Sequence, residues 1–264
     1  MLLAYAPRGL IGVLTPQANT TVEPEFWIML PPGVAAINAR MVSPKEALEA
    51  RLADYLENLD TAIAQFANAP LGAIAIATTG TSYIAGAARE QELVDRITKR
   101  TGVPFISTGQ AVVRALRTLG AKTIGLVSPY PESLTQKSVV YWSEHGFIIG
   151  GVVRIGTRSD TFHPIYAISA ESAQAGLREF EGKTLDAIVL LGTGMPTLEA
   201  ILRQTHDGGP ALLSCMLCLG WAAISAATGQ DVDQNSLLEF MRGKDWGPRL
   251  RARILPAETR VRPR

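Results

Sequence analysis

Four short segments of this chain combine small residues, hydroxyls and a following helical pattern, and together they could bind an anion. They are Thr15-Pro16-Gln17-Ala18-Asn19-Thr20-Thr21, Thr79-Gly80-Thr81-Ser82-Tyr83, Ser128-Pro129-Tyr130-Pro131 and Gly192-Thr193-Gly194-Met195-Pro196-Thr197. Backbone N–H groups at such strand-to-helix turns, helped by Ser and Thr hydroxyls, can hold a carboxylate or an enolate oxygen without a lysine. A lone Ser or Thr at such a turn is most often a helix cap. Four matched turns in one chain favour a pocket.

Each turn follows a short aliphatic or β-branched run. The runs are LIGVLT, VAAINARMV, AIAIATT, VPFIST, TIGLVS, FIIGGVVRI, DAIVLL and ALLSC, and most are followed by a helical stretch. Near-continuous apolar runs alternating with amphipathic segments indicate parallel strands covered by helices on both faces. The longest helical pattern, from Pro44 to about Ala67, places Leu48, Leu52, Leu56, Leu59 and Ile63 on one stripe. Ligands of such open sheets bind beyond the carboxyl ends of the strands, where the four turns fall.

The pattern repeats. Ile11-Gly12-Val13-Leu14-Thr15-Pro16 is echoed by Ile124-Gly125-Leu126-Val127-Ser128-Pro129, and Ala75 to Thr81 by Ala187 to Thr193. The expected architecture is therefore α/β, with two pseudo-symmetric parallel-sheet halves, helices on both faces and the active site in the cleft between them. The halves are assigned to residues 1–119 and 120–230. Residues 231–264 form a C-terminal segment that packs back on the body or extends as an arginine-rich arm.

Composition narrows the function. The chain has 264 residues, 47% of them hydrophobic, and 25 Lys+Arg against 24 Asp+Glu leave a net charge of +1. Without a basic excess, nucleic-acid binding has no electrostatic support. No stretch reaches the roughly 18 apolar residues of a membrane span, and Pro7 and Arg8 interrupt the apolar start where a signal-peptide core would continue. A cytoplasmic protein with no membrane role is expected. Only two cysteines occur, Cys215 and Cys218, and with three scattered histidines they do not suggest a metal site. Their apolar flanks also argue against a redox pair. Nucleotide-loop, zinc-protease and nucleophile-elbow motifs are absent.

The stretch Pro16-Gln17-Ala18-Asn19-Thr20-Thr21-Val22-Glu23 resembles the opening of maleate cis-trans isomerases, within the aspartate/glutamate racemase superfamily. Val127 to Pro131 and Gly192 to Leu198 are similar to that family's later motifs, and the resemblance extends from about Gly9 to Gly229. It implies a cofactor-independent enzyme acting on a small carboxylic acid, and a homo-oligomer. By the same resemblance, Asn19, Gly80, Thr81, Ser82, Gly192, Thr193 and Gly194 would hold the substrate, and Tyr130 would donate to developing negative charge.

The chain also departs from the pattern. Gly80 and Gly192 stand where the resemblance places the two reactive cysteines, and arylmalonate decarboxylases keep Gly-Thr-Ser in the first half but a cysteine in the second. Decarboxylase or lyase chemistry through an enediolate is therefore favoured over thiol-based isomerisation or racemisation. In that branch the departing carboxylate occupies an apolar subsite. Besides Tyr130, two side chains could supply the proton: His163, in the loop after the sixth run, and Cys215, after the last. Glu23 and Glu25 read as first-turn carboxylates favourable to a helix dipole, and His145 as the charged end of a helix before Gly146. The alternative to an enzyme is a non-catalytic or regulatory carboxylate-binding protein of the same fold.

Overall fold

The computed structural model describes residues 3–156, 164–204 and 208–254. All eight apolar runs are strands. The first sheet is built from β1 (Gly9–Pro16), β2 (Val34–Met41), β3 (Ala73–Ile76) and β4 (Phe105–Ser107), the second from β5 (Thr123–Ser128), β6 (Ile148–Arg154), β7 (Ala187–Leu190) and β8 (Ala211–Ser214). Both sheets are parallel, with strand orders β2-β1-β3-β4 and β6-β5-β7-β8. The sequence repeat is thus a repeat of topology. The central strands are buried on both faces, which is why they read as continuous apolar runs, whereas β6, at an edge, exposes alternate residues.

Helices cover the sheets. In the first half they are α1 (Val22–Met29), α2 (Leu48–Glu57), α3 (Leu59–Ala64), α4 (Thr79–Ala85), α5 (Ala87–Thr101) and α6 (Thr108–Thr118). The stripe expected to form one helix from Pro44 to Ala67 is broken. Asn58 ends α2, its side chain bonded to the Asp54 carbonyl, and α3 restarts on the same buried stripe. The second half carries α7 (Glu132–Glu144), a 3₁₀ turn (Pro164–Ala167), α8 (Ala170–Arg178) and α9 (Leu198–Gln204). Then follow α10 (Cys215–Thr228), α11 (Gln234–Met241) and α12 (Gly247–Arg253). Among the described residues, no helix is long and apolar enough to cross a membrane.

The helix α10 ties the two halves together. It starts directly from β8 in the second half, capped by Ser214, whose hydroxyl accepts from the Leu217 N–H. It then crosses to pack on α6, β1 and β3 of the first half, buried from Cys215 to Ser225. An all-apolar helix of this kind is a core element, not an amphipathic cover. Its C-terminal end rests directly on the first sheet. A Cβ at Gly72 would lie 2.9 Å from the Ala227 carbonyl oxygen and 3.0 Å from the Ala227 Cα, both backbone atoms.

Because backbone cannot yield as a side chain tip can, Gly72→Ala is expected to destabilise the protein by about 1–3 kcal/mol. Urea unfolding measures this as a lower midpoint with an unchanged slope; a midpoint equal to that of the native protein would show that the helix end shifts freely.

Candidate functional site

The turns at the ends of β1, β3, β5 and β7 meet at the seam between the halves, and polar bonds cross it. Asn19 Oδ1 accepts from the N–H groups of Thr21 and Val22 at 2.8 and 3.0 Å, while its Nδ2 donates to the Thr193 carbonyl at 3.2 Å. Thr21 donates to the Gly194 carbonyl at 2.9 Å, and Thr193 donates back to the Ala77 carbonyl at 2.8 Å. Arg40 supports the first turn from outside, bonding the carbonyls of Pro16 and Asn19 while paired to Glu23. Glu23 is thus part of a loop support as well as a first-turn carboxylate.

Glu25 does more than favour its own helix. It is buried, and its Oε1 accepts from the Thr197 N–H at 2.7 Å and the Leu198 N–H at 3.2 Å, so a carboxyl on α1 caps α9 of the opposite half. The Thr197 hydroxyl continues to Ser214 at 2.8 Å. Burial pushes the Glu25 pKa up to about 7, against the lowering by those bonds.

Of the residues the sequence assigned to substrate binding, several are engaged within the fold. Besides Asn19 and Thr193, the Thr81 hydroxyl donates to the Thr78 carbonyl at 2.8 Å. Ser82 accepts from the Gly109 N–H and lies beside the buried Glu90 carboxyl, which also accepts from the Tyr141 hydroxyl at 2.5 Å. The two glycines face the seam differently. A Cβ at Gly80 would stand 2.7 Å from Leu52 Cδ1, and Gly192 has φ +84°, a left-handed conformation in which a Cβ would come 3.3 Å from the Tyr130 hydroxyl. Gly194 lies under the ring of Tyr166, in the 3₁₀ turn.

One point gathers a thiol, a phenol and a hydroxyl. The Cys215 thiol is fully buried where the Gly192 N–H and the Thr79 hydroxyl reach it, and Tyr130 lies beside the same Thr79 hydroxyl. Burial pushes the Cys215 pKa up to about 11 and holds the Tyr130 phenol well above its usual range, so both keep their protons at neutral pH. Cys218, one turn on, is also buried and neutral. His163 lies outside the described residues.

Aromatic side chains pack beside Tyr130. Tyr83 packs edge-on against Tyr130 with ring centroids 6.0 Å apart and against Trp142 at 5.8 Å. The Thr79 and Tyr83 hydroxyls and the Trp142 indole N–H are buried without a hydrogen-bond partner. Thr79 and Tyr83 stand in one of the four segments the sequence offered but received no role of their own there, and Trp142 was not named. Thr79 and Tyr83 flank the assigned Gly-Thr-Ser and share a helix face at the i, i+4 spacing, the one signal that could have found them. Trp142 carries none. His145 does end α7 before Gly146, but burial and the Arg117 charge lower its pKa, so the charged cap expected there is disfavoured.

Comparison with known proteins places this geometry. Residues 11–238 match the family model described as arylmalonate decarboxylase. A maleate isomerase of Nocardia farcinica is 28% identical over 217 residues, 77% of this chain and 84% of that protein, and an arylmalonate decarboxylase of Bordetella bronchiseptica is 26% identical over 168 residues, 60% and 67%. Among solved structures, a maleate isomerase from Pseudomonas putida S16 with maleate gives a TM-score of 0.75 at 21% identity, covering 89% of this chain and 98% of that one. A Nocardia farcinica maleate cis-trans isomerase mutant with a covalently bound succinylcysteine intermediate gives 0.71 at 24%, covering 83% and 92%.

The Glu25 cap carries a pH signature. Its folded pKa of about 7 lies above the ordinary 4.5, so the folded state holds an extra proton between those values and loses stability as pH rises through that window. Glu25→Gln keeps an acceptor for the α9 N–H groups without the charge. Its stability relative to the native protein should therefore improve by up to about 3 kcal/mol from pH 5 to pH 8. Denaturant melts at the two pH values measure the difference; a pH-independent difference would mean that Glu25 titrates as an ordinary carboxyl.

Proposed function

This chain belongs to the arylmalonate decarboxylase family, and from that premise we propose that it is a cofactor-independent lyase of decarboxylase type, acting on a small carboxylic acid through an enediolate. The carrying observation is the meeting of Cys215, Tyr130, Thr79 and the Gly192 N–H at one buried point between the halves. A thiol held at a pKa of about 11 is a proton donor. As CO₂ leaves, the electron pair left on carbon delocalises onto the remaining carboxylate, Tyr130 donates a hydrogen bond to that oxygen, and Cys215 gives its proton to the carbon. Solvent restores the proton.

The same pKa speaks against an isomerase step that begins with thiolate attack, because so little thiolate exists at neutral pH. Glycine at positions 80 and 192, where the resemblance places the reactive thiols, supports the same choice. Asn19, Thr81 and Thr193 would reach a carboxylate only by giving up bonds they make in the fold, so we assign them to shaping the cleft. Direct contact then falls to Thr79, Tyr130, Cys215 and the turn from Gly192 to Gly194.

Proton NMR in D₂O with maleate, aspartate, malate and methyl- and phenyl-substituted malonates tests this reading. Loss of a malonate with one deuterium entering the product α-carbon is expected, and Cys215→Ser should lower turnover by about 10² or more. Full turnover in that variant would move the proton donor elsewhere. Binding without turnover of any acid would favour the non-catalytic carboxylate-binding alternative.

A further inference from the structure

The unpartnered groups around Cys215 say something about the substrate beyond its carboxylate. Thr79 and Tyr83 stand one turn apart on α4 and are 0% and 5% exposed; Trp142, on α7, is fully buried. The Thr79 hydroxyl lies beside Tyr130 and Cys215, and the Tyr83 hydroxyl beside the Trp142 N–H, with Tyr130 and Cys215 close enough to act on it electrostatically. Yet Thr79 Oγ1, the Tyr83 hydroxyl and Trp142 Nε1 all lack a bond of proper geometry. A native fold rarely leaves buried polar atoms unpaired, and these three form a row that starts at Thr79 beside the Cys215 thiol and runs through Tyr83 to Trp142. Asn19, Thr81 and Thr193 by contrast each have partners, and the other two buried atoms without one among the described residues, Glu90 Oε1 and His145 Nε2, belong to side chains that lie beside Ser82 and against the Tyr141 ring respectively.

We propose that these three groups form a subsite for an oxygen substituent, so that the substrate is a small hydroxy or oxo carboxylic acid bearing that oxygen on or next to the carbon that Cys215 protonates. The inference rests on the carboxylic-acid reading of the cleft and narrows it. An aryl or alkyl group in the same place would leave the three polar groups buried and unsatisfied. An ammonium group fits no better. Trp142 Nε1 can only donate, and the nearby buried carboxyl, Glu90, lies behind Tyr141 and accepts its hydroxyl. A carbonyl or hydroxyl oxygen of the substrate supplies the acceptor that these donors lack.

Calorimetric titration with matched pairs tests the assignment. Hydroxymalonate differs from methylmalonate, and malate from methylsuccinate, by hydroxyl against methyl of nearly equal size. The native protein is expected to bind each hydroxy acid at least about tenfold more tightly than its methyl partner. Tyr83→Phe and Thr79→Val, which remove only the hydroxyl, should bring the ratio toward one. Thermal melting without any acid separates a role in binding from a role in folding: the variants should melt at the native temperature or above it, because each deletes an unpaired buried group. Equal binding of hydroxy and methyl acids, or an unchanged ratio in both variants, would overturn the subsite. So would a lowered melting temperature with the ratio preserved, which would mark the hydroxyls as parts of the fold. If no carboxylic acid binds at all, the reading of the cleft fails first and this inference with it.

Discussion

Two sheets that share no strand must be joined by something other than backbone pairing, and here the join is a set of buried polar bonds across the seam. Asn19, Thr21, Thr193 and Glu25 each bond backbone of the opposite half. In a buried seam each such bond is costly to leave unmade, which fixes the relative position of the turns more sharply than apolar packing alone. α10 adds the apolar part, starting at the end of β8 and finishing against the first sheet. Cys215 is the first residue of that helix, so the element that joins the halves also brings this thiol to the junction.

The seam also sorts polar groups into two kinds. Those already bonded hold the scaffold, and they include side chains that the sequence motif pointed to most directly. Among the unpaired ones, Thr79, Tyr83 and Trp142 come from α4 and α7, with Thr79 beside Cys215 and Tyr130 and Trp142 against Tyr83. On the proposed reading, such a site keeps its geometry rigid through the first kind and leaves recognition to the second.

Much of the architecture was legible because parallel strands buried on both faces leave continuous apolar runs, and because the repeat of Ile-Gly-Val-Leu-Thr-Pro marks the two halves. The helix break at Asn58 was not, since the apolar stripe runs through it and only the local bond to the Asp54 carbonyl stops α2. In the site, the motifs located the turns correctly, but whether a hydroxyl faces the cleft or its own backbone depends on rotamers that spacing does not encode. Glu25 looked like a dipole partner because its true partners, Thr197 and Leu198, lie 172 and 173 residues away. Trp142 was invisible for a related reason: an indole on the buried face of α7 has no local pattern that separates packing from recognition.

The two glycines of the seam also bear on what this chain can become. At position 80 a side chain would meet Leu52 at 2.7 Å, and at position 192 it would have to adopt a left-handed backbone beside Pro129 and Tyr130. A single codon change that placed a thiol at either position would thus arrive with strain before it brought any chemistry. Accommodating one there needs coordinated changes, a smaller residue in place of Leu52 for position 80 and a rebuilt turn for position 192.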